Sequence, residues 1–113
     1  MSDSPLARRA WTNLQSVQAE IAQEKAASLG RMAARLQEAL ARLAAFDAAE
    51  PGDPADARPA LVDAAGQALW FYVVQREACG LRDVEAVLRE YRVPHEVYLR
   101  MGFSSAPRRE PRR

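Results

Sequence analysis

The residues best suited by type to covalent or acid–base chemistry are Cys79, His95 and Glu96. A thiolate beside a histidine base is the minimum of a nucleophilic site. Cys79 is poorly placed for that role, because it falls just before Gly80, at the C-terminal end of an apolar helical stretch. The partial negative charge of a helix C-terminus disfavours a thiolate. A free cysteine there reads as a small core residue. His95-Glu96 begins like the zinc pattern His-Glu-x-x-His, but Leu99 stands where the second histidine is needed and the chain has 1 histidine in all. One chain therefore cannot assemble a catalytic zinc site of ordinary type. Glycines 30, 52, 66, 80 and 102 are scattered, so no phosphate-cradling loop is built. The carboxylates each have an arginine nearby or a capping position. The sequence predicts no enzyme, no catalytic residue, no metal and no cofactor.

Composition sets the frame for that expectation. The chain has 113 residues, 49% hydrophobic and 27% charged, which suits one folded domain. A net charge of +1 supplies no global field for nucleic acid or an anionic membrane. The charge is uneven, since Arg108, Arg109, Arg112 and Arg113 crowd the last stretch against Glu110. Lys25 is the only lysine, and this bias towards arginine and alanine reads as the codon usage of a GC-rich bacterial genome. Cys79 is the only cysteine, so no intrachain disulfide forms, as suits a reducing compartment. Asp3 comes early and no basic-then-apolar leader follows, so no secretory signal is expected. The longest apolar run, Ala68 to Val74, is far below the roughly 20 residues of a membrane span. A cytoplasmic location is expected.

The elements follow from periodicity. We expect an all-α fold: a long N-terminal helix packed on a second helix, followed by a short C-terminal helical hairpin. Residues 1–103 form one helical domain, and 104–113 form a disordered Arg/Pro tail. The long helix spans about 5–49, capped by Ser4 and opened by Pro5. Its apolar stripe runs Trp11, Leu14, Val17, Ile21, Leu29, Met32, Leu36, Leu40, Leu43 and Phe46. Gly30 interrupts the composition but not the phase. Trp11 and Leu29 stand about five whole turns apart, as do Leu14 and Met32, so the helix is expected to run through. A linker at 50–58 is rich in proline, glycine and aspartate. The second helix covers about 59–79, with small residues Ala60, Ala64, Ala65, Gly66 and Ala68 allowing close approach by a neighbour. Helices at about 83–91 and 94–101 make the hairpin, capped by Asp83 and closed by Gly102, with Glu96 and Arg100 paired on the outside of the last one.

Two readings of function follow. The leading one is a self-associating, non-enzymatic protein-interaction module, a coiled-coil homodimer built on the long helix. The long helix spans about 66 Å and the second only about 32 Å, which leaves Leu14, Val17 and Ile21 uncovered. The run Trp70-Phe71-Tyr72-Val73-Val74 is apolar all round its helix and would need burial on every side. The expected interface is Trp11, Leu14, Val17, Ile21, Leu29, Trp70 and Phe71. Another protein is the other partner this surface would take; no membrane is expected. The alternative is a small DNA-binding regulator, with the hairpin at 83–101 as a helix-turn-helix and Arg89, Arg92, Arg100, Arg108 and Arg109 as contacts. Against it, the last helix is short and Glu96 would repel phosphate.

The run Val73-Val74-Gln75-Arg76-Glu77-Ala78-Cys79-Gly80-Leu81-Arg82-Asp83, with Tyr91-Arg92-Val93-Pro94 and Met101-Gly102, resembles a family of small bacterial helical proteins of unknown function. The resemblance covers the C-terminal half and carries no catalytic residue with it.

Overall fold

The computed structural model describes residues 4–49 and 57–102. They form four helices and, among the described residues, no strand: α1 (Pro5–Ala48), α2 (Ala57–Ala78), α3 (Val84–Glu90) and α4 (His95–Leu99). The expected all-α architecture is the observed one. The tail from 104 and the linker residues 50–56 lie outside the described residues.

α1 is 44 residues long and unbroken at Gly30. Ser4 caps it, its hydroxyl accepting from the Ala7 N–H at 3.0 Å, and Pro5 takes the first helical position. This arrangement satisfies one of the free N–H groups of the first turn and omits another. α2 starts at Ala57, two residues before the expected boundary, so Arg58 and Pro59 belong to its first turn. A first-turn N–H has no acceptor within the helix, so Pro59 loses no hydrogen bond there.

The glycine cap of α2 forms as expected, whereas α4 ends at Arg100, two residues before Gly102. At the end of α2 the Leu81 N–H donates to the Arg76 carbonyl and the Gly80 N–H to the Glu77 carbonyl, each at 2.9 Å, with Gly80 at φ 87°. That is a Schellman motif. α3 ends the same way: the Val93 N–H donates to the Leu88 carbonyl at 3.0 Å, and the left-handed position is filled by Arg92, φ 52°. The hairpin helices are shorter than expected at their ends. Asp83 and Tyr91 flank α3 as caps, and Pro94 and Arg100 flank α4.

The core takes residues from every helix: Leu36 and Leu43 of α1, Val62, Ala65, Leu69 and Tyr72 of α2, Val87 of α3 and Val97 of α4. Arg58 at the start of α2 is paired with Asp47 at the end of α1, so α2 runs back along α1. Its 22 residues reach about as far as residue 27 of α1. Burial on α1 begins where that reach ends: residues 4–27 are all exposed, and Ser28 and Leu29 are the first to be partly covered. The result is a helical core with a projecting arm. Its Cα radius of gyration is 20.8 Å, against about 13 Å for a compact domain of this length.

Candidate interaction surface

The arm carries the apolar strip. Trp11, Leu14, Val17 and Ile21 are between 48 and 59% exposed, and Leu6 is more exposed still. Leu14 and Met32 lie on one line of the helix, as do Trp11 and Leu29, yet Leu29 and Met32 pack against the core. The strip therefore continues the face that α2 covers, beyond the point where α2 stops. Leu29, expected at an interface between chains, is partly buried and packs against this core, because the returning helix is just long enough to reach it. Trp70 and Phe71 are 43 and 44% exposed and, with Val74, form the outer face of α2. A Cβ on Gly102 would come within 3.8 Å of the Trp70 ring, so this indole stands beside the last of the described residues. The two apolar regions thus lie on different helices. The arm strip is longer, and it is the one that continues a packed face.

The chemistry-bearing residues do not converge. Cys79 caps α2 and is half-buried. His95 opens α4 with its ring 6.1 Å from that of Tyr98. No hydrogen bond joins Cys79 to His95 among the described residues. Nor is there, among these residues, a group of three or more His, Cys, Asp or Glu able to hold a metal. No described helix is long and apolar enough to cross a membrane.

The strongest polar feature is structural in its geometry. Arg58 donates from Nε and Nη2 to both oxygens of Asp47, at 2.7 and 3.0 Å. It also donates from Nη1 and Nη2 to both oxygens of Glu96, at 2.9 and 2.7 Å. One guanidinium thus joins the end of α1, the start of α2 and the first turn of α4. Its hydrogen bonds hold the Asp47 and Glu96 carboxyls below their usual range, against a small opposing effect of burial. Arg100 is paired with Asp63 of α2. The expected Glu96–Arg100 pair is therefore not formed: both side chains reach across to α2, against which their short helix is packed. A cleft of about 450 Å³ beside these pairs is lined by Arg58, Val62, Asp63, Glu96, Leu99 and Arg100. Its charged groups already face one another.

Of the arginines considered for nucleic acid, Arg89 and Arg92 are exposed around the α3–α4 turn. Arg100 is engaged by Asp63, and Arg108 and Arg109 lie outside the described residues. Two features escaped sequence reasoning. The Arg58 clamp joins positions with no periodic relation. Tyr91 stacks edge-on against Tyr72, with ring centroids 5.5 Å apart and the Tyr91 hydroxyl donating to that of Tyr72 at 3.4 Å. The small-residue stretch of α2 did carry a signal: at Gly66 there is no room for a Cβ beside the main chain of Arg100, the residue that ends α4.

The family model for a family of unknown function, DUF6665, matches residues 7–109. The chain belongs to this family. The match takes in the arm as well as the core and hairpin, so it extends well beyond the C-terminal half in which the resemblance was read. No curated protein and no solved structure matches the chain.

Proposed function

We propose that the protein is a non-enzymatic helical interaction module that self-associates through the arm of α1, as a homodimer in the bacterial cytoplasm. The observation that supports this is the strip Trp11, Leu14, Val17 and Ile21, half exposed on a stretch of helix that α2, α3 and α4 do not cover. Contiguous apolar surface of this kind marks interaction sites. Fully burying one such side chain is worth roughly 1.5–3 kcal/mol, so several together drive association. A lone cysteine suits the reducing compartment, and the excess of arginine over lysine suits a GC-rich bacterial genome.

Light scattering across micromolar concentrations tests the reading. The expected result is a dimer that dissociates on dilution, and that becomes a monomer in the variant Leu14→Glu/Ile21→Glu with its helical content kept. A wild-type protein that stays monomeric overturns it. The second reading, DNA binding, draws on Arg89 and Arg92 at the hairpin turn; a salt-dependent shift with random duplex DNA would favour it.

A further inference from the structure

Resting on that self-association, we propose that two arms pair antiparallel about a two-fold axis between residues 15 and 16, so that residue n of one chain faces residue 31 − n of the other. Two independent observations lead to this register.

The first is the extent of the uncovered helix. The helix is exposed without a break from Pro5 to residue 27, and cover by the chain's own α2 begins at Ser28. The midpoint of that segment is residue 16, within one residue of the axis. Antiparallel arms centred there cover each other completely. The start of each α1, at Ser4, comes level with residue 27 of the partner, just short of the stretch that the partner's own α2 covers.

The second is the apolar spacing. Ala7, Ala10, Leu14, Val17 and Ile21 are spaced alternately by three and four residues, with Glu24 next in the series. These are the a and d positions of a coiled-coil heptad. About the same axis every a position meets a d position: Leu14 meets Val17, Ile21 meets Ala10 and Glu24 meets Ala7. Large side chains face small ones in the outer layers, and the two middle layers are both aliphatic. Trp11 flanks the seam and closes over its edge.

Spin labels separate the alternatives. Single cysteines are placed at Thr12, Ala19 and Ala26, on the outward side of the arm, in a Cys79→Ser background. Thr12 and Ala19 are related by the proposed axis, so their inter-chain distances should match, with an axial component of about 10 Å each. Ala26 should give a much longer distance, with an axial component of about 32 Å. Equal distances at all three sites in a protein that light scattering finds dimeric would mean a parallel pair. That result removes the register and leaves self-association standing. Thr12 and Ala19 unequal in a dimer would place the axis elsewhere and overturn the register as well. A monomer, with no inter-chain distance at any site, overturns both. Far-UV circular dichroism of each labelled variant confirms that the helices are retained.

Discussion

A Cβ added to Gly66 would stand 2.9 Å from the main-chain carbonyl carbon and oxygen of Arg100. The hairpin is seated on α2 at this point, backbone against backbone, and the Arg100 side chain reaches on to Asp63 one turn earlier. Gly66→Ala must push the end of α4 off its seat, because a carbonyl cannot swing aside as a side-chain tip can. We expect a loss of about 1–3 kcal/mol in urea unfolding. Gly30→Ala is the control, since a Cβ there meets nothing within 4 Å. It should add about 0.5–1 kcal/mol by favouring the helix. Equal effects at the two positions would show that the close approach does not matter.

Acid should weaken the protein through Asp47 and Glu96. Hydrogen bonds from Arg58 hold both carboxyls below their usual range. A carboxyl with a lowered folded-state pKa contributes stability that is complete above its unfolded value, about 4, and is lost as pH falls through the folded value. Arg58→Gln should therefore lower the Tm at neutral pH. The gap from wild type should close as the pH drops below about 4. All three side chains are partly exposed, so added salt should also narrow the gap. Equal Tm values at neutral pH and low salt would contradict the clamp.

Alkali acts on the tyrosine pair. The Tyr91 hydroxyl is pushed up to about 12, first by its hydrogen bond to Tyr72 and then by burial. An unfolded tyrosine titrates near 10, so this contribution to stability is whole below that pH and fades as pH rises through about 12. Tyr72→Phe removes the acceptor. An ultraviolet titration should then show the late-ionising phenol of the wild-type protein shifted to lower pH; an unchanged late titration would sink the assignment.

Arg92 occupies a left-handed position, φ 52°, that glycine fills at the end of α2. An L-residue there is strained by roughly 1–2 kcal/mol, and glycine's extra freedom in the unfolded chain returns part of that. Arg92→Gly should stabilise the protein by up to about 1 kcal/mol in urea unfolding. A loss of stability would mean that the Arg92 side chain makes a contribution larger than the strain.

The fold was legible where it rests on period and punctuation. The stripe from Leu29 to Leu43 is the α1 side of the core, the phase across Gly30 anticipated an unbroken helix, and Gly80 stands at the end of α2 with positive φ. What could not be read depends on reach between elements. Arg58 is separated from Asp47 by 11 positions and from Glu96 by 38, spacings that no periodic rule selects. Glu96 and Arg100 have the right spacing for an outer pair, but partners on α2 bind each of them. Leu29 was assigned to the exposed strip because the stripe looks alike on both halves of α1. Only the length of the returning helix decides where core gives way to arm.

That division gives two leucines of one helix opposite roles. Leu36 is fully buried among core residues from all four helices, whereas Leu14 is 48% exposed on the arm. Leu36→Ala leaves a cavity that close-packed neighbours cannot fill, and should lower stability by about 2–5 kcal/mol at any protein concentration. Leu14→Ala leaves no cavity within one chain. On the arm of a monomer it should change stability by less than about 0.5 kcal/mol, as surface substitutions do. In the proposed dimer Leu14 faces Val17 of the partner, so the substitution should weaken association, with an effect on Tm that depends on protein concentration, as mass action requires. Thermal unfolding of both variants over a hundredfold concentration range separates the roles. A Leu14→Ala effect that is large and independent of concentration would place Leu14 in an intrachain core and remove the basis for the arm as a docking surface.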